Sequence, residues 1–178
     1  MIRLFSASFA ILVSCLTATA QEADIQTILQ EYRAEIVKSS RKTIGPVIEA
    51  IATSGSPKAQ NALESWAAKA MWMRKSDGAF FVGEKSDAKS YQLTDFDSGD
   101  AVGIYPKEDL KQLKPNSGVR AMIATALVPF QLMDPDVAKR QDALISIQRD
   151  PASTLLAPLR ASIGGETDAE LKAQKQRL

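Results

Sequence analysis

The sequence of 178 residues contains no histidine, one cysteine and no excess of either charge. Without histidine, the chain cannot form a Ser-His-Asp or Cys-His catalytic site or a histidine-ligated zinc site. Its 22 basic residues nearly balance its 21 acidic ones, so no long-range field attracts nucleic acid, and we expect no nucleic-acid partner. If the protein is an enzyme, carboxylates, lysine or tyrosine must supply its acid–base groups.

The composition is that of a folded protein rather than a disordered one. Apolar residues make up 45% of the chain and charged residues 24%. A chain of this length is large enough to bury a core and suits one domain. We therefore expect residues 21–178 to form one compact domain.

The first twenty residues are organised like a signal peptide. Arg3 supplies the positive start, residues 4–16 form an uncharged apolar run, and a small-x-small pattern ends at Ala20. We expect cleavage between Ala20 and Gln21 and location in the periplasm. Cleavage would also remove Cys15, so the mature chain would have no thiol chemistry.

Two alternatives concern the same segment. Residues 12–15 resemble a bacterial lipobox, in which Cys15 would be the lipidated first residue of the mature protein. An uncleaved transmembrane anchor is disfavoured because the apolar run is shorter than the roughly 20 residues that a bilayer requires. We therefore expect no transmembrane span in the mature chain.

Helical periodicity follows the leader. Apolar residues recur at spacings of three and four, first over 25–36 and then over 44–51. Ser56 and Pro57 have the pattern of a third helix start, and this helix is predicted to continue to about Arg74. Residues 21–75 are therefore predicted to form N-terminal helical hairpins.

The periodicity changes after residue 76. Three short segments rich in aromatic and β-branched residues, at 79–82, 91–94 and 101–105, are separated by polar turns that contain glycine. They predict a three-stranded antiparallel β-meander over 76–106. A short helical turn is expected around residues 108–113.

The last third of the chain is predicted to be helical. A strong apolar stripe over 119–130 follows a start signal at residues 115–118. Helix starts then recur at Asp134, Asp150 and Thr167, and two such units span roughly 33 residues, as in stacked α-solenoid repeats. The predicted fold class is therefore mainly α, with HEAT-like hairpins over 21–75 and 107–178 and a small inserted β-meander.

The order of several motifs resembles the extracytoplasmic N-terminal region of urea ABC transporter permeases, in the branched-chain amino-acid permease family. The motifs lie at residues 73–78, 91–95, 98–103 and 133–137, and the similarity extends from about Ile48 to the end of the chain. The resemblance implies a non-catalytic accessory domain. It also implies two partners, the transporter's permease core and the periplasmic urea-binding protein, and requires no cofactor or metal.

The chain departs from this family in one respect. Such permeases continue into a series of apolar helices, whereas this sequence ends in the polar segment 170–177. We therefore expect either the accessory domain of a longer reading frame or a free-standing periplasmic protein. Neither could form a substrate pathway through a membrane.

The candidate interaction surface comprises Trp66, Trp72, Arg74, Lys75 and Asp77. The two tryptophans are six residues apart on the predicted third helix, so they cannot both face the same core. One of them is therefore a candidate for an exposed docking patch. Arg74, Lys75 and Asp77 continue this surface into the following turn.

Two other interpretations of the function remain open. A periplasmic hydrolase that uses carboxylates, or a small-ligand binding protein, would bring two acids together with an aromatic residue such as Trp66 or Tyr105. Asp95, Asp97 and Asp100 crowd one turn, but their spacing does not match an EF-hand calcium loop. A solvated hairpin turn is the expected structure there, and no metal is predicted.

Overall fold

The computed structural model describes residues 24–178. The predicted cleavage site at Ala20 and Gln21, and the alternative lipidation site at Cys15, lie outside the described residues. Between residues 24 and 178, no helix combines the length and the apolar character that a bilayer span requires.

Helices occupy both ends of the described chain. Four short helices precede a block of strands, and four more follow it. The helices are α1 (Ile25–Glu31), α2 (Arg33–Val37), α3 (Gly45–Ala52), α4 (Ala59–Ala67), α5 (Ser117–Gln131), α6 (Val137–Arg149), α7 (Leu156–Ile163) and α8 (Ala169–Arg177). Single 3₁₀ turns precede β5 and α7, at Lys107–Asp109 and Ser153–Leu155.

The strands form one antiparallel sheet of five strands. They are β1 (Met71–Arg74), β2 (Phe80–Lys85), β3 (Ser90–Asp95), β4 (Ala101–Pro106) and β5 (Leu110–Gln112). Their order across the sheet is β4-β3-β2-β1-β5, so β1 lies between β2, the next strand in the sequence, and β5, the last strand. Met71 lies opposite Val82 on one side, and Trp72 lies opposite Gln112 on the other.

The predicted fold class is therefore wrong, because the described chain is mixed α/β rather than a helical solenoid. The three predicted strands correspond to β2, β3 and β4, but the sheet also contains β1 and β5. The residues of β1 were predicted to end a helix, and those of β5 were predicted to form a helical turn. Both strands are too short for their periodicity to be recognised, and they form because they pair with each other across about 40 residues.

The predicted third helix corresponds to α4, which ends at Ala67 rather than near Arg74 because the backbone changes conformation at Lys69. The φ angle of Lys69 is 63°, in the left-handed region that commonly terminates helices. The Ala70 amide then donates to the Ser65 carbonyl over 2.8 Å, which satisfies an acceptor at the helix end. The next residues are extended, so Met71 and Trp72 point to opposite faces of the sheet.

The largest core, which we call the main core, lies between one face of the sheet and the helices. It contains Met71, Phe80 and Phe96 from the sheet region, together with apolar residues of α1, α3, α4 and the first part of α5. The predicted apolar stripes of residues 25–36 and 44–51 are buried here. Burial of these stripes holds the N-terminal helices on the sheet.

The opposite face of the sheet carries a separate sheet core of Trp72, Phe81, Leu93 and Leu110. No described helix contributes to this cluster, and the side chains of Ala79, Tyr91 and Tyr105 pack against it instead. Gly83 is required here, because a Cβ at this position would lie 2.4 Å from Cδ1 of Trp72.

The C-terminal helices surround a third cluster, the C-terminal core. It is built from Val128 and Leu132 together with apolar residues of α6, α7 and α8. Helix α5 belongs to both neighbouring cores, since Val119, Ile123 and Leu127 of the same helix lie in the main core. Helix α5 therefore joins the two helical parts of the protein.

Candidate functional site

The two tryptophans of the predicted interaction surface are both buried. Trp66 is 0% exposed in the main core, and Trp72 is 2% exposed in the sheet core. The Trp72 ring packs against Tyr91 with a distance of 4.1 Å between ring centroids. Neither tryptophan can therefore form an exposed patch. The indole nitrogen of Trp66 has no hydrogen-bond partner among the described residues.

Arg74, Lys75 and Asp77 lie together where β1 turns into β2. Both carboxylate oxygens of Asp77 accept hydrogen bonds from the Arg74 guanidinium, the shortest at 2.6 Å. The guanidinium also donates to the Tyr105 hydroxyl at 2.8 Å and lies 4.7 Å from the centroid of the Phe81 ring. Hydrogen bonding to Arg74 lowers the pKa of the Asp77 carboxyl.

This arrangement uses most of the hydrogen-bonding capacity of Arg74 within the protein. Lys75 is also engaged, since its ammonium group donates to the Glu108 carbonyl and its amide donates to the Asp109 carbonyl. These contacts connect the β1–β2 turn to the segment that leads into β5. The turn is therefore held in place by its polar residues, and its role as an interaction surface stays a prediction.

The aspartates of the β3–β4 turn bind backbone amides. Asp95 accepts from the amides of Asp97 and Ser98, as in an Asx turn. The Asp97 carboxylate accepts from the amides of Ile25 and Gln26 at 2.9 and 3.1 Å, and so caps the start of α1. Within residues 24–178, no group of three acidic or cysteine side chains is positioned to hold a metal ion.

The aromatic residues that a carboxylate-dependent hydrolase would need are not free. Trp66 lies in the main core, and the Tyr105 hydroxyl bonds to Arg74. The Asp24 and Asp97 carboxylates do interact at the start of α1, where burial first, and the neighbouring Asp24 second, raise the pKa of Asp97. Both carboxylates also accept hydrogen bonds from helix amides, which is the arrangement of a helix cap.

A buried ionic cluster links the C-terminal helices. The carboxylate of Glu166 accepts two hydrogen bonds from Arg140, at 2.9 and 3.0 Å, and one from Lys175 at 2.9 Å. The side chains of Glu166 and Lys175 are 1% and 0% exposed. Burial alone would raise the pKa of Glu166, but the bonds from Arg140 and Lys175 outweigh it and lower the pKa to about 2.

The same two cations also bind backbone carbonyls at and after the end of α5. Lys175 Nζ donates to the carbonyl of Leu132, the C-cap of α5, at 2.9 Å, and Arg140 donates to the carbonyls of Asp134 and Pro135 in the loop between α5 and α6. The last carbonyls of a helix carry partial negative charge and need donors, so the Lys175 ammonium is favourable there. These contacts hold the α5–α6 loop against α8 and give the cluster a structural role.

An open apolar groove crosses the boundary between the main core and the C-terminal core. We call it the junction groove; its volume is about 530 Å³. Three elements form its walls, namely α3, α5 and the segment that leads into α7. Its apolar lining consists of Gly45, Ile48, Ala52, Met122, Ala126, Pro129, Phe130, Leu155 and Pro158.

The groove has few polar groups. Glu49 is the one charged side chain among the residues that line it, and three threonines complete the set, at positions 53, 125 and 154. Pro129 lies inside α5 and has no N–H, so it cannot donate to the Thr125 carbonyl one turn earlier. The groove therefore offers a mainly apolar lining and one carboxylate.

The junction groove has no clear signature in the sequence. Its walls come from segments about 75 and 105 residues apart, counting from Ile48 to Met122 and to Leu155. The one available signal was Pro129 near the end of the most apolar helix, because proline inside a helix usually has a specific structural cause. The apolar stripe of α5 is explained by ordinary packing in the core, so the stripe itself did not indicate a groove.

Comparison of the chain with protein-family models, with curated proteins and with solved structures gave no match. No residue role is therefore carried over from a relative. The junction groove stands out on its own geometry, because its lining is mainly apolar and it lies between the main core and the C-terminal core.

Proposed function

We propose that the mature chain is a non-catalytic docking domain in the periplasm that acts in urea uptake by binding the permease core of an ABC transporter. The periplasmic urea-binding protein is its second partner in this proposal. The sequence resemblance described above motivates the choice of transporter. The observation that carries the docking function is the junction groove.

The groove supports docking for a physical reason. Apolar surface in contact with water costs roughly 25 cal/mol for each Å², so contiguous apolar patches on folded proteins commonly mark interaction sites. Met122, Ala126 and Phe130 are only half-buried in the groove, whereas the apolar residues of the three cores are largely shielded. A partner that covers these side chains would remove this cost.

The test is co-purification of the tagged chain with the transporter from native membranes. We expect the permease core and the urea-binding protein to be retained, as identified by mass spectrometry. Ala126→Arg should reduce their recovery about tenfold or more, because it places a long cation in the groove. Ala124→Arg is the matched control, since Ala124 is exposed on the same helix and does not line the groove.

Absence of both transporter components from the wild-type sample would refute the docking proposal.

One observation favours a second candidate, a stand-alone small-ligand binding protein. The groove volume lies within the roughly 300–1,000 Å³ of small-molecule sites. Native mass spectrometry would favour this candidate if it found a small molecule on the wild-type chain that Ala126→Arg loses.

A further inference from the structure

We infer that the junction groove binds an amphipathic α-helix of the partner, whose apolar face fills the groove while a lysine or arginine binds Glu49. This inference rests on the proposed docking function, because it specifies the partner surface at that same site. It goes beyond that function by assigning a secondary structure and a charge to the segment that binds.

The shape of the groove favours a helix. Helices α3 and α5 and the start of α7 form a three-sided depression, and an amphipathic helix can lie along such a depression with its apolar face inward. An apolar cavity of roughly 150 Å³ accommodates one benzene ring, so a groove of about 530 Å³ has room for several apolar side chains. Residues spaced three and four apart on one helix face supply such a row.

The charge of the groove favours a basic residue. Glu49 is exposed on α3 and makes no ion pair among residues 24–178. No basic side chain lines the groove, so no lining residue neutralises the Glu49 carboxylate. A helix with acidic residues along the same edge would be repelled, so this carboxylate selects against acidic partners as well as for basic ones.

The test uses two fluorescent peptides of about 18 residues, or roughly five helical turns. The peptides share one leucine face and carry either lysine or glutamate on the polar face. We expect the lysine peptide to bind the wild-type chain saturably, with affinity that falls as salt is added, and the glutamate peptide to bind at least about tenfold more weakly.

Two variants test where the lysine peptide binds. Glu49→Gln should weaken its binding by about twofold to fivefold, the usual worth of one exposed ion pair, whereas Glu35→Gln on exposed α2 should not. Ala126→Arg should abolish saturable binding, and Ala124→Arg should leave it unchanged. Circular dichroism spectra and melting temperatures of all four variants would show that each still folds.

Several results would overturn the inference. These are equal binding of the two peptides, no binding of either, or equal binding of the lysine peptide to the wild-type chain and Ala126→Arg. Each of them leaves the docking function standing if the transporter components still co-purify. Peptide binding without co-purification would instead count against the docking function.

Discussion

Replacing Glu166 with glutamine should lower the free energy of unfolding by about 3 kcal/mol at pH 7. Glutamine keeps the shape of glutamate but removes the negative charge that Arg140 and Lys175 share. It also replaces one carboxylate oxygen, which accepted from Arg140 or Lys175, with an NH2 group that cannot accept a hydrogen bond. The buried Lys175 ammonium would keep the Leu132 carbonyl as an acceptor but would lose its negatively charged partner.

The magnitude follows from the pKa of Glu166, which is lowered from 4.5 to about 2 in the folded protein. Each pKa unit corresponds to about 1.4 kcal/mol, so the difference amounts to about 3 kcal/mol. Because the folded pKa lies below the unfolded one, this stabilisation is present above pH 4.5 and is lost as the pH falls toward 2. At pH 3, only about 1 kcal/mol should remain.

The assay is urea denaturation of the wild-type chain and the variant, followed by circular dichroism between pH 3 and 7. Comparing the two proteins at each pH cancels the contributions of all other titrating groups. Asp142→Asn is the control, since Asp142 is exposed on α6, and it should change stability by no more than about 0.5 kcal/mol. A difference below about 1 kcal/mol at pH 7, or one that does not shrink toward pH 3, would refute the reasoning.

Two further predictions concern the sheet and the first helix. Gly83→Ala should destabilise the protein by about 1–3 kcal/mol, because the new Cβ would overlap the Trp72 ring, and thermal unfolding followed by tryptophan fluorescence would measure this. Asp97→Ala should remove one of the two carboxylates that cap α1 and cost about 1 kcal/mol, with faster hydrogen exchange at the Ile25 amide, because Asp24 still accepts from the Gln26 amide.

Each of these predictions has a matched control. Gly164→Ala should be nearly neutral, because Gly164 has helical backbone angles and nothing lies within 4 Å of a Cβ there. Asp100→Ala removes a carboxylate from the same turn as Asp97 without touching α1. A stable Gly83→Ala protein, or unchanged exchange at the Ile25 amide in Asp97→Ala, would contradict the packing described above.

The residues of the candidate site were harder to predict from the sequence than the helices were. Glu166 and Arg140 are 26 residues apart, and each alone resembles an ordinary surface charge. The junction groove likewise combines residues from three distant segments. Arg74, Lys75 and Asp77 are the exception, because a turn places neighbouring residues together whatever the rest of the fold does.

By itself, the sequence determined where apolar stripes and turns lie. The stripe over 119–130 became α5, with Asn116 capping its start, and the polar turns separated β2, β3 and β4. Local patterns suffice there because helix periodicity and turn chemistry depend on residues only a few positions apart.

Only the tertiary structure decided the conformation of Met71–Arg74. Its four residues have no periodicity long enough to separate helix from strand, and pairing with β2 and β5 makes them an interior strand of the sheet. That pairing buries Trp72 beneath Gly83 and removes it from any docking surface. Contacts between residues far apart in the chain therefore decided the fold class, and they also formed the groove on which the proposed function depends.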